Sequence, residues 1–186
     1  MPPKVKITRD DILNATLELV RESGESAINA RAIASHLNCS TQPVFSNFAS
    51  MDELKTSVIE YAHRLCDNYI KKEKSSGAYP EYKSSGMAYI RFAKEEKELF
   101  KLLFMRKRAN GEVSPEGSFF NQMQGIVHAN TGLTMADSQL FHLEMWAFVH
   151  GIAAMHATGY LELDWELVSK MLTDAFLGMK KQYGLE

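Results

Sequence analysis

Two cysteines, a formal net charge of −2 and no apolar run near membrane-spanning length set the first limits on this chain of 186 residues. Cys39 and Cys66 lie on separate predicted helices and read as small buried hydrophobes, not as a bridge. A balance so close to neutral gives no general attraction to nucleic acid or to an anionic membrane. Even residues 1–50 are even-handed: Lys4, Lys6, Arg9, Arg21 and Arg31 stand against Asp10, Asp11, Glu18, Glu22 and Glu25. Any contact with DNA must therefore be argued from motif geometry. No stretch approaches the roughly 20 apolar residues that cross a bilayer, and none resembles a secretory leader, so a cytoplasmic protein with no membrane partner is expected.

Catalytic signatures are missing as well. The chain has no glycine-rich phosphate loop, no nucleophile elbow and no convincing pair of carboxylates. His128, His142, His150 and His156 do not fall at the i, i+4 spacing that converges on a metal, and no Cys or Glu completes a set. No enzyme activity, cofactor or metal is expected. Alternating strand patterns, internal repeats and low-complexity tracts are also lacking.

What remains is helical periodicity. With 45% hydrophobic residues the chain can bury a sizeable core. Thr8 with Asp11 opens a first helix that Gly24 stops, with Ile12, Leu13, Thr16, Leu17, Leu19 and Val20 on its inward side. Ser50 caps a helix carrying Leu54, Val58, Ala62 and Leu65, which fades near Lys71–Lys74. Ser75 to Pro80 is a boundary. Beyond it, further helices are marked by Met87–Ala93, Glu98–Met105 and Phe119–Ala129; Thr134 and Asp164 then cap two long ones. The expected fold is all-α, divided into an amino-terminal module at 1–50, a connecting helix at 51–74 and a larger bundle at 81–186.

The most informative segment is Asn29 to Phe48. Asn29 caps a short helix bearing Arg31, Ile33, Ala34 and Leu37. Asn38 tolerates the left-handed turn that follows. Ser40 is expected to cap a second helix with Pro43 in its first turn, where a missing N–H costs little. Ala34, Cys39, Val44 and Phe48 stand where the two helices touch. This is helix-turn-helix grammar, whose second helix enters a DNA major groove. Thr41, Gln42, Ser46 and Asn47 are short polar residues suited to base edges or phosphates, Pro43 can pack on a thymine methyl, and Val44, Phe45 and Phe48 are expected to hold the helix to its neighbours.

Arg31-Ala32-Ile33-Ala34, Asn38-Cys39-Ser40 and Phe45-Ser46-Asn47-Phe48 together resemble the landmarks of TetR-type transcriptional repressors. Ile12, Ala15, Leu17, Gly24, Ser50 and Leu54 agree in order and spacing, so the resemblance spans residues 7 to 60. Three positions depart from it: Asn38 replaces a turn glycine, Phe45 a tyrosine, and Met51 a phosphate-binding lysine. Trp146-Ala-Phe-Val-His150-Gly151 matches a Trp-x-x-x-His-Gly signature of one branch of these regulators. The resemblance implies a homodimer that binds a palindromic double-stranded operator and answers to a small-molecule effector. Its DNA contacts would come from Lys6, Asn29, Arg31, Ser40, Thr41, Gln42, Pro43, Ser46, Asn47 and Lys55.

Two further sets follow from the carboxyl-terminal pattern. Trp165, Val168, Leu172, Phe176 and Met179 form a stripe at three- and four-residue spacing, and Leu167, Met171 and Gly178 form a second apolar face. A helix apolar on two sides needs two burial partners, and a second subunit is expected to be one. The small residues Ala147, Gly151 and Ala154 on the preceding helix would let a partner helix come close. The aromatic and flexible residues Tyr89, Phe92, Phe104, Phe120, Met123 and Trp146 suggest a chamber for an apolar effector, with His150 or Tyr89 supplying an orienting hydrogen bond. The competing reading is an all-α dimer that binds a small molecule or a protein and carries a vestigial DNA module.

Overall fold

The computed structural model describes residues 7–106 and 116–185, and only the backbone of 116–119. Among these residues the chain forms α-helices only, apart from a 3-10 turn at Glu25–Ala27. In chain order they are α1 (Arg9–Ser23), α2 (Ala30–His36), α3 (Gln42–Asn47), α4 (Met51–Ser76), α5 (Glu81–Glu95), α6 (Lys97–Phe104), α7 (Glu116–Thr131), α8 (Met135–Thr158) and α9 (Trp165–Gln182). Two compact units emerge. One gathers Met1–Leu65 with Glu96–Arg106, the other Cys66–Glu95 with Lys107–Glu186. The segment Glu96–Arg106, which chain order groups with the later helices, thus belongs to the first unit.

Local chemistry sets the helix starts. The Thr8 hydroxyl accepts from the Asp11 amide at 3.2 Å while the Asp11 carboxylate accepts from the Thr8 amide at 2.8 Å, a reciprocal box. Asn29, Thr134 and Asp164 each accept from a backbone N–H three residues on. At the far end of α1, Gly24 has φ +74° and a β-carbon there would stand 2.9 Å from the Glu98 carboxylate. The backbone conformation is what requires glycine here, since the Glu98 carboxylate ends a flexible side chain that can shift.

In the first unit, α1 packs on α2, α3 and α6, with Ile12, Val20, Ile33, Val44, Leu54, Val58 and Leu99 fully enclosed. Arg21 reaches α6 through a two-pronged pair with Glu96 at 2.8 and 3.1 Å. In the second unit α5 is the central helix, lying against α7, α8 and α9. Its Met87, Ala88, Ile90, Phe92 and Ala93 are shut off from solvent. The Lys83 ammonium ties α5 to α9 by donating to Ser169 and Thr173, each at 2.8 Å. Cys66 is buried and Cys39 half-buried, and neither forms a disulfide.

Gly86 sits where α5, α8 and α9 crowd together: a β-carbon there would lie 3.1 Å from Leu172 and 3.4 Å from Val149. A larger side chain must push both apart in a close-packed interior. Gly86→Leu is expected to lower stability by about 1–3 kcal/mol through overpacking, despite its better helix propensity. An unchanged urea midpoint for this variant would contradict the packing described.

Candidate nucleic-acid interface and effector site

The turn between α2 and α3 is built by the backbone. Asn38 has φ +51°, the only positive value at a non-glycine among the described residues. The Cys39 amide donates to the Ala34 carbonyl at 2.9 Å, closing the reversal. Helix α3 then starts at Gln42 with Thr41 before it and no side-chain cap. The expected Ser40 cap is therefore corrected: Ser40 is exposed and stands one residue before the cap position, which Thr41 takes without a side-chain bond. Pro43 in the first turn leaves no stranded N–H.

Burial divides the six residues of α3. Val44 and the following Phe48 face inward at 0% and 2% exposure, while Phe45 is 55% exposed. Phe45 was expected to hold the helix to its neighbours; with Val44 and Phe48 already filling the inner side, it points out instead. Gln42 and Ser46 are also exposed, Thr41 and Pro43 half-exposed. The Ser46 hydroxyl donates back to the Gln42 carbonyl at 2.9 Å. Asn47 is committed to the fold, since its amide donates to the Pro43 carbonyl at 2.9 Å and to the Ile7 carbonyl at 3.4 Å.

The cations are distributed unevenly. Arg9 lies 3.9 Å over the Phe48 ring, donates to the Asn47 carbonyl at 2.7 Å and pairs with Glu53 at 2.8 Å. Lys55 pairs with Glu25. Arg31 is exposed, and Asn29 spends its side-chain oxygen on the Ala32 amide. Lys4 and Lys6 lie outside the described residues. A hollow of about 1050 Å³ opens beside α3, lined by Asp11, Glu18, His36, Asn38 and Gln42 among others. The Thr8 hydroxyl holds Asp11 below the usual carboxylate range, so Asp11 and Glu18 bring negative charge to the α1 side of this hollow, opposite the polar residues Ser40, Gln42 and Ser46.

In the second unit α8 and α9 are apolar on two sides. The inner side of α9 is Val168 and Leu172, both buried, with Phe176 edge-on to Phe141 at 5.4 Å and Met179 against the same cluster. The outer side keeps Leu167 and Leu177 exposed, and α8 keeps Leu140 and Leu143 exposed. Among the chamber residues, Tyr89 bonds to His150 at 3.0 Å and Trp146 stacks on the same imidazole at 5.0 Å between centroids. Phe120 stands 4.4 Å from His142, whose Nδ1 meets the Tyr82 hydroxyl at 2.8 Å.

Residues 83–176, half of the chain, match the family described as tetracyclin repressor-like, C-terminal domain. The chain belongs to the TetR family. Solved structures carry the same fold over nearly the whole length. A TetR-like transcriptional regulator from a Rhodococcus species superposes with a TM-score of 0.70 at 16% identity, covering 99% of each chain. A TetR family member from Streptomyces coelicolor gives 0.64 at 14% identity, covering 90% of this chain and 96% of its own. A TetR-family protein from Vibrio parahaemolyticus gives 0.64 at 15%, covering 91% and 97%. The sequence matches no curated protein. Among the described residues no helix is long and apolar enough to cross a membrane.

Set against this TetR-family fold, several sequence expectations move. Val168 and Leu172, expected at a subunit interface, are buried in the domain's own core; Phe176 and Met179 pack against that core while staying partly exposed, and Trp165 lies under the Arg91 guanidinium at 4.2 Å. The periodic stripe was real, but spacing alone does not say which apolar face turns inward. Ala147, Gly151 and Ala154 remain on α8 without being fully buried. Trp146, expected to line a chamber, is 39% exposed. Phe104 belongs to the first unit, against Phe100 at 5.1 Å. Phe92 and Met123 are buried in the second unit. The side chain of Phe119 and residues 107 to 115 lie outside the described residues. Tyr82, Ser138 and His142 were not singled out as site residues, because their association joins positions 60 apart in sequence.

His142 gives this unit a pH dependence. Burial pushes its pKa down from 6.5 to about 4. The unfolded chain therefore takes up a proton that the folded chain refuses between these values, and stability falls as pH drops from 6.5 toward 4. Above pH 6.5 both states are neutral and the group contributes no slope. Replacing His142 with Phe is expected to remove on the order of 2 kcal/mol of acid destabilisation across that window. Parallel stability-versus-pH curves for wild type and His142→Phe would contradict the assignment.

Proposed function

We propose that this TetR-family protein is a ligand-responsive repressor that binds a palindromic operator as a homodimer. The observation that carries the reading is the two-sided α3, which buries Val44 while offering Gln42, Phe45 and Ser46 outward from a helix-turn-helix. Gln42 can pair with adenine through its amide, and Phe45 and Pro43 supply apolar contacts of the kind that meet a thymine methyl. Ser40, Thr41, Asn29 and Arg31 flank this surface and are proposed phosphate contacts; Lys55 and Lys6 would extend them. Asn47 is better assigned to holding α3 in place.

One such module covers too little surface for tight specific binding, and a dimer spanning two half-sites supplies the rest. The exposed outer faces of α8 and α9, with Leu143, Ala147, Gly151 and Ala154 on one and Leu167 and Leu177 on the other, are the proposed interface. An apolar effector held in the carboxyl-terminal unit would act by binding one geometry of the dimer more tightly than the other. The continuous helix α4 is the proposed lever, because its residues are shared between both compact units. The vestigial-module reading draws support from Arg9 and Lys55 being tied up in ion pairs. A mobility-shift assay with DNA flanking the protein's own gene separates the two.

In that assay Gln42→Ala is expected to weaken operator binding by about 1–3 kcal/mol with helicity unchanged. Asn47→Ala should act differently, lowering the stability of the first unit by roughly 1 kcal/mol through its lost hydrogen bonds. Wild-type affinity for Gln42→Ala at matched salt would remove α3 from the groove. The double variant Leu143→Glu, Leu177→Glu is expected to give a folded, helical monomer by light scattering. A dimer persisting in this variant would place the interface elsewhere.

A further inference from the structure

Ser138 and His142 lie one turn apart on the inner side of α8, at 0% and 5% exposure. Among the described residues, the Ser138 hydroxyl and His142 Nε2 have no hydrogen-bond partner. Burying an unpartnered polar atom costs about 1–3 kcal/mol, so two in adjacent turns call for an occupant that satisfies them. Their surroundings are apolar and aromatic: Phe120 from α7 lies 4.4 Å from the imidazole, and Tyr82 from α5 makes an edge contact at 5.8 Å.

The Tyr82 contact fixes what the imidazole offers. Burial keeps the Tyr82 hydroxyl protonated, raising its pKa above the ordinary value. If that hydroxyl donates to His142 Nδ1, its hydrogen is used and the ring proton sits on Nε2. The reverse arrangement would strand the buried phenolic hydrogen as well as the Nε2 lone pair. The first arrangement leaves fewer orphans, so Nε2 presents an N–H. The Ser138 hydroxyl presents an O–H one turn away. Burial keeps the imidazole uncharged at neutral pH, so the two donors of this corner are neutral and favour an uncharged acceptor over a bare anion.

We propose that the junction of α5, α7 and α8 is a ligand subsite for an uncharged aromatic or apolar molecule bearing a carbonyl oxygen, which accepts from His142 Nε2–H and Ser138 Oγ–H. This rests on the proposed effector role of the carboxyl-terminal unit and names the polar end of that site. It shifts the orienting hydrogen bond away from His150, whose Nδ1 already meets Tyr89. Selectivity follows from the same physics. A ligand with the oxygen relieves two donors that are unpaired in the free protein, and one without it leaves them so, a difference larger than that of a missing methylene.

The test compares acetophenone with ethylbenzene, and 4-phenyl-2-butanone with its hydrocarbon butylbenzene, by calorimetry on the full chain. Each ketone should bind at least about 10-fold more tightly than its hydrocarbon, and the ratio should fall to within about twofold in His142→Phe. Ser138→Ala, which removes an unpaired hydroxyl and should fold at least as stably as wild type, is expected to reduce the ratio partway. Nitrogen-15 spectra of the histidine side chains should show the His142 Nε2–H tautomer and a shift on adding acetophenone. Ketones and hydrocarbons that bind with equal affinity, or a ratio untouched by both variants, would overturn the subsite while leaving an apolar effector chamber standing. If none of the four compounds binds, the subsite and the effector reading fall together.

Discussion

Everything the amino-terminal unit presents outward depends on Phe48 being driven inward. Its ring is buried, the Arg9 guanidinium covers it at 3.9 Å, and the same guanidinium binds the Asn47 carbonyl and the Glu53 carboxylate. One side chain thereby joins the start of α1, the end of α3 and the first turn of α4. With both Phe48 and Val44 committed to the core, the rotation of a six-residue helix is settled. Gln42, Phe45 and Ser46 have nowhere to point but outward. Phe45, 55% exposed, gives this surface its one large apolar side chain on α3.

The carboxyl-terminal unit answers a different demand. Helix α5 must be enclosed by three others, and Gly86 makes room for Leu172 and Val149 to do so. Against that apolar packing, the Ser138 and His142 atoms without partners stand out as polar groups kept inside at a cost. Arg91 provides the contrast: it pairs with Glu73 at 3.2 Å and lies over Trp165, so its charge is fully used.

Much of the architecture was legible in the sequence because its signals are local. Thr8, Asn29, Thr134 and Asp164 each cap through an amide three residues away, and Asn38 announced the left-handed turn by its own chemistry. The all-α fold and a helix-turn-helix followed from the same short-range grammar, and the TetR type from the resemblance carried by Arg31–Ala34, Asn38–Ser40 and Phe45–Phe48. Ser40 misled because α3 starts one residue later than a Ser40 cap requires: Thr41 precedes Gln42, and no side chain caps the helix. The facing of α9 was illegible for a different reason: apolar residues on both sides report that burial is needed, not which neighbour provides it. The Tyr82–His142 pair and the packing of α6 on α1 join residues far apart in sequence, where periodicity carries no information.

The central claim is that a dimer of this chain reads DNA through α3. Hydroxyl-radical footprinting on the DNA flanking the protein's own gene tests it directly. The account predicts a protected palindrome whose half-sites lie roughly one helical turn, about 34–36 Å, or a whole multiple of that apart, with protection lost in Gln42→Ala. Protection without two-fold symmetry, or none at any concentration that keeps the protein folded and dimeric, would contradict it.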